Sequence, residues 1–200
     1  MKRDVYVELL DWQSRRDHKP LVLDGARQVG KTYILKEFGA RAYKNVSYVN
    51  LDRDFVARGI FEADHDVHRI ILTLSAHTGM DIRPGETLII IDEIQESPAA
   101  LACLKYFKED APDYDVAVAG SLLGISIHGN RSFPVGMVEI IKMFPMSFNE
   151  FLEASDRAEL ADLLREKNWT IVNTLSRQYV ELLRQYYYVG GMPEAVAAYV

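Results

Sequence analysis

The octapeptide Gly25-Ala26-Arg27-Gln28-Val29-Gly30-Lys31-Thr32 constrains this chain more than any other stretch. It satisfies G-x-x-x-x-G-K-[ST] at every fixed position, follows the apolar run Leu21-Val22-Leu23, and leads into a helical pattern from Lys31 to Phe38. A glycine-flanked loop between a strand and a helix turns backbone N–H groups inward on an anion, and the helix adds the positive end of its dipole. Gly25 and Gly30 allow a backbone approach that a Cβ would block. Lys31 can reach outer phosphates as a point charge, and the Thr32 hydroxyl can take a coordination site on Mg2+. Ala26, Gln28 and Val29 complete the cradle, and Tyr33 follows it as the last member of the binding set. Arg27 fits two roles equally, a ligand contact or an exposed charge facing a partner.

Strands and helices alternate around this loop. Val5, Leu9 and Trp12 mark a first helical face, and Leu21 to Asp24 a strand. Val46 to Leu51 is a second strand, rich in aromatic and β-branched residues, and a charged segment runs from Asp52 to Arg58. Val67, Ile70, Ile71 and Leu74 recur at helical spacing, with Gly79 suited to the stop. Pro84-Gly85 has the chemistry of a type II turn and delivers the chain into Thr87 to Ile91, an apolar run of the kind that fills a central parallel strand. Ser97-Pro98 predicts an N-cap and first turn for a helix reaching about Lys108. Asp115 to Ala119 is a fourth strand and Gly136 to Met143 a fifth. Such alternation with short connections calls for an α/β parallel sheet. Beyond Pro145 the chain turns helical, with Ser147 and Glu150 spaced as a capping box, Asp156 and Glu159 repeating that spacing, and a longer helix ending at Gly190-Gly191.

Leu88-Ile89-Ile90-Ile91-Asp92-Glu93 has the form of a Walker B segment. In a parallel sheet all strand carboxyl ends share one edge, so topology brings Asp92 and Glu93 to the phosphate loop. Asp92 suits the metal, and Glu93 suits orientation or deprotonation of an attacking water. Ser121, at the end of the fourth strand, fits a hydroxyl contact to the γ-phosphate or a plain Gly-Ser turn. His65, His68 and His77 suggest a metal by spacing, but without cysteine or a fourth ligand they read as solvated helix residues. Tyr186-Tyr187-Tyr188 could stack on a base; at helical spacing beside an apolar face they read as core.

The 200 residues suffice for one sizeable core and the start of a second domain. A formal charge of −6 argues against a broad nucleic-acid footprint, and no apolar run reaches the length of a membrane span. The start, Met1-Lys2-Arg3-Asp4, does not lead into a signal-peptide core, and the lone Cys103 reads as a small buried hydrophobe in a reducing compartment. The expected location is the cytoplasm.

The sequence resembles the prokaryotic AAA-type P-loop ATPases, in particular the group with an ATPase core followed by a C-terminal domain of unknown function. The resemblance rests on the loop with its Arg27-Gln28 pair, Asp92-Glu93-Ile94-Gln95, Ala119-Gly120-Ser121, the run from Phe144 to Phe151, and Gly190-Gly191-Met192-Pro193-Glu194-Ala195. It implies a three-layer sandwich with a five-stranded parallel sheet in the order 5-1-4-3-2, and it places Ser121 at the sensor-1 position. It also implies an ATPase domain over residues 1–154 and a helical segment over 155–200 that opens a truncated lid or C-terminal region, most of which is expected to be missing. Family members usually carry a basic residue after the glycine that opens the fifth strand, whereas Met137 follows Gly136 here. Arg131 is the nearest substitute for an arginine finger.

ATP and Mg2+ are the expected ligands, and homo-oligomerisation is one expected partnership. The leading reading is an ATPase that couples hydrolysis to movement of an attached domain. Two alternatives stand beside it: a nucleotide-responsive interaction module with little turnover, and a small-molecule kinase.

Overall fold

The computed structural model describes residues 2–120, 134 and 136–200. They form two compact units, one made of Val7–Gly25 and Lys31–Met143, the other of Met1–Tyr6, Ala26–Gly30 and Phe144–Val200.

The first unit is built on a five-stranded sheet of β1 (Leu21–Gly25), β2 (Asn45–Asn50), β3 (Thr87–Asp92), β4 (Asp115–Gly120) and β5 (Glu139–Met143). Every pairing is parallel and the order is β2-β3-β4-β1-β5, the expected order read from the other edge. The register sets Asn50 beside Asp92 and Asp24 beside Gly120, so the strand ends align along one edge.

Helices cover both faces, which is why β3 is buried at all six positions. On one face, Ile89, Ile91, Val116 and Val118 pack against α3 (Phe55–Ala63), α4 (Val67–Thr78) and α5 (Pro98–Asp110). The alternate residues Leu88 and Ile90 face α2 (Lys31–Ala42). A Cβ at Gly39 of α2 would lie 2.7 Å from Val46 and 3.3 Å from Leu88, so glycine there lets helix and sheet close up. Each fully buried Leu or Ile side chain contributes about 1.5–3 kcal/mol of transfer free energy.

Local chemistry sets the helix ends. Ser97 accepts from the Ala100 amide with Pro98 at the first turn, and Gly79 ends α4 at φ 66°. Gly85 takes φ 65° in the expected turn, closed by the Glu86 amide on the Arg83 carbonyl. One segment left unassigned by the sequence gains a structure, and two readings need correction. The charged segment from Asp52 runs into a helix, α3, because Asp54 accepts from the Ala57 amide and the buried Ala57, Ile60 and Phe61 make an apolar stripe. The fifth strand begins at Glu139, since Gly136 sits at φ 79° in a turn where the Met137 amide donates to Pro134. His65 precedes the α4 cap Asp66, so it shares no helical face with His68.

The second unit contains α6 (Phe148–Ala154), α7 (Ala158–Arg165), α8 (Trp169–Thr174), α9 (Ser176–Val189) and α10 (Pro193–Tyr199). Ser147 and Glu150 form the capping box of α6. The repeat at Asp156 does not form. Asp156 takes φ 55° in the turn that closes α6, and the N-cap position of α7 falls on Arg157 without a side-chain bond. Leu152, Leu160, Ala161 and Tyr179 make one small core, and Met146, Phe151 and Val196 another. The Met146 amide donates to Gly191 at 2.6 Å, and the Tyr186 hydroxyl donates to the Met146 carbonyl at 2.7 Å. Tyr186 thus packs inward as expected, but Tyr187 and Tyr188 are 74% and 90% exposed, because the α9 stripe passes only through Tyr186. Among the described residues, no helix is long and apolar enough to cross a membrane.

Candidate functional site

Asp92 shares a face of β3 with Leu88 and Ile90, the face that α2 covers, and Thr32 lies in the first turn of α2. This is the local reason the two meet. The Thr32 hydroxyl donates to Asp92 Oδ2 at 2.8 Å. Tyr48 and Asn50, on the adjoining strand, converge on the same oxygen, the phenol donating at 3.0 Å and the Asn50 amide at 3.5 Å. The Glu93 amide donates to the other oxygen, Oδ1, at 3.1 Å. Asp92 is 4% exposed, and these donors offset the cost of burying its charge. Burial, with Asp92 beside it, holds the Tyr48 phenol above its usual value. Lys36 Nζ sits 3.5 Å from the Tyr48 ring centre and fixes the ring by a cation–π contact.

Tyr48 and Asn50 did not emerge from the sequence as site residues. The signal for them was the two-residue alternation of β2, which puts both on one face, combined with a register that only pairing reveals.

Glu93 leaves the strand at φ 53° and ψ 48°, a left-handed conformation that an L side chain adopts at a cost of order 1–3 kcal/mol. That turn separates its direction from that of Asp92. Gln95 Nε2 donates to Glu93 Oε2, and Gln95 Oε1 is buried with no partner among the described residues. The end of β4 explains the crowding. A Cβ at Gly120 would come within 2.7 Å of Ile94 Cγ2 and 2.9 Å of Gln95 Oε1, so only glycine lets β4 pass this close to the Ile94–Gln95 turn.

Lys31 Nζ donates to the Gly25 carbonyl at 2.7 Å, spanning the two ends of the loop, while Tyr33 is 62% exposed. Of the loop residues in the helical unit, Ala26, Arg27 and Gln28 are exposed and Val29 is buried. Gln28 at φ 67° and Gly30 at φ 97° both take left-handed backbone. The Val29 carbonyl accepts from Arg3 at 2.8 Å. Ser121 and Arg131 lie outside the described residues.

His77 bonds to Asp54 at 2.7 Å, His65 stacks on Tyr106, and no group of three potential metal ligands occurs among the described residues. Cys103 is buried, and burial pushes its thiol up to about 11, so it is an inert core residue.

Residues 17–152 match the family model described as AAA domain. No curated protein matches the chain in sequence. Among solved structures, it is similar to the Walker-type ATPase PABY2304 of Pyrococcus abyssi, with 16% identity and a TM-score of 0.56 over 98% of this chain. The chain spans 65% of the length of that ATPase. The ORC2 protein of Aeropyrum pernix in its ADP form also aligns, with 18% identity and a TM-score of 0.43, covering 78% of this chain and 50% of that one.

Proposed function

The chain belongs to the AAA domain family, and from that premise we propose that it is a Mg2+-dependent ATPase that couples ATP binding and hydrolysis to movement of its C-terminal helices or of an attached domain. The observation that carries this reading is the 2.8 Å bond between the Thr32 hydroxyl and Asp92. A hydroxyl and a carboxylate are hard oxygen donors, the set that suits Mg2+ beside a nucleotide phosphate. Bound there, Mg2+ would neutralise charge on the phosphate oxygens.

The residues divide the remaining work by their chemistry. Lys31, which donates to the Gly25 carbonyl, turns to the phosphate oxygens and makes a charge-assisted contact with them. Residues 25–30 supply backbone amides to the phosphates. Glu93 accepts the proton of the attacking water, and Gln95 holds the carboxylate in its left-handed turn. Tyr48 and Asn50 hold the Asp92 carboxylate in place by donating to Oδ2.

The first experiment is calorimetry of ATP binding to Lys31→Ala and to the parent. The variant should stay folded and lose tight binding, because the charge-assisted contacts of the ammonium with the phosphates are deleted. Equal affinity in the two proteins would refute the assignment. Phosphate release in the absence of any added acceptor then separates hydrolysis from kinase chemistry, and binding without release would favour the interaction module.

A further inference from the structure

Arg3 lies at the start of the chain, far in sequence from every nucleotide motif, yet it is 9% exposed and donates from all three guanidinium nitrogens. Nε donates to Glu150 Oε1 at 2.9 Å, one terminal nitrogen donates to the Val29 carbonyl at 2.8 Å, and the other to the Phe144 carbonyl at 2.6 Å. Glu150 is fixed in turn. Its Oε1 also accepts from the Asp4 amide at 2.8 Å, and its Oε2 from the Ser147 amide at 2.7 Å. All these groups belong to the one compact unit that contains residues 26–30.

A trans peptide aims its N–H opposite to its C=O. With the Val29 oxygen held by Arg3, the Gly30 N–H must point away from Arg3. Gly30 sits at φ 97°, and glycine rotates between such conformations with little steric resistance, so an untethered Val29–Gly30 peptide is free to flip. A flipped peptide would present an oxygen where an anion cradle requires a donor. We propose that Arg3 is a positioning residue for the phosphate loop: it anchors the Val29 carbonyl so that the Gly30 amide faces the bound phosphates. The proposal rests on the nucleotide reading of that loop. It requires arginine, because the planar fork serves three acceptors in different directions and the compact ammonium of lysine does not.

The test compares ATP and ADP affinities of the parent, Arg3→Lys, the double variant Arg3→Met with Glu150→Gln, and Tyr186→Phe, at a temperature where each is folded. Arg3→Lys keeps a cation beside Glu150, and the double variant removes both charges together, so one remains interpretable if the other folds poorly. Both should weaken ATP and ADP binding by about tenfold or more, the scale of a lost charge-assisted orientation, and the Gly30 amide resonance should broaden or split. Tyr186→Phe deletes a different hydrogen bond in the same unit. It should lower Tm and leave affinity unchanged, which a purely structural role for Arg3 would also predict for the Arg3 variants. Parent-like affinity in either Arg3 variant, whatever its Tm, overturns the positioning role while the nucleotide reading stands. A parent that binds no ATP removes both.

Discussion

At the scale of single residues, Asp92 and Glu93 are adjacent in sequence and opposite in circumstance. Asp92 is buried and accepts from Thr32, Tyr48 and Asn50, whereas Glu93 is half-buried, turned aside by its φ of 53°, and held by one amide. A ligand to a cation needs the first environment and a base for water needs the second. Glu93→Gln should therefore keep ATP and Mg2+ binding while slowing hydrolysis by about 10² or more, the usual scale for loss of a general base. Asp92→Asn should instead raise the magnesium concentration needed for half-maximal activity. A magnesium titration of binding and turnover in both variants checks the division, and parent-rate hydrolysis by Glu93→Gln would place water activation elsewhere.

At the scale of elements, the clearest dependence is that of the segment before α6 on the turn before α10. Gly191 donates no side chain, and a Cβ there would overlap the Met146 carbonyl oxygen, while its own carbonyl accepts from the Met146 amide at 2.6 Å. Gly191→Ala should destabilise the helical unit by about 1–3 kcal/mol, the range for overpacking a filled site. Gly85→Ala makes a useful contrast, because nothing lies within 4 Å of a Cβ there and the only penalty is the φ of 65°. Thermal melts of the two variants, each followed by a signal from the unit that carries the substitution, should show the larger loss for Gly191→Ala.

At the scale of the whole molecule, stability should depend on pH through His18. Its Nε2 lies 2.6 Å from Asp115 Oδ1 and its Nδ1 2.6 Å from the Arg15 carbonyl oxygen, two acceptors that only a doubly protonated ring can satisfy together. The bond to Asp115, opposed by burial and helped by the Arg15 carbonyl and the charge of Glu139, raises the His18 pKa above its ordinary value. A raised folded-state pKa stabilises the fold fully below the unfolded value of about 6.5 and is lost as pH rises through the folded one. Tm should fall as pH is raised from about 6.5, and His18→Gln should flatten that slope. An unchanged slope in the variant would locate the titration in another group.

The sequence by itself determined the elements whose chemistry is local. The loop from Gly25 to Thr32, the apolar β3 with its two carboxylates, the Ser97 cap and the Ser147–Glu150 box all depend on residues a few positions apart, and the alternation of strands and helices left a parallel sheet as the economical arrangement. Where two local signals competed, sequence alone could not rank them: Asp156 reads as a cap for α7 but is used to close α6, and Tyr186 to Tyr188 share a helix but only one falls on its packed stripe. Tertiary structure decided whatever depends on register and on long-range pairing. Tyr48 and Asn50 reach Asp92 only because β2 lies beside β3 with Asn50 opposite Asp92, Gln95 meets Glu93 only where Gly120 lets β4 come close, and Arg3 meets Val29, Phe144 and Glu150 only through the fold. Those contacts bridge up to 147 positions of chain, and the hydrophobic period of a segment carries no information about which distant segment will lie against it.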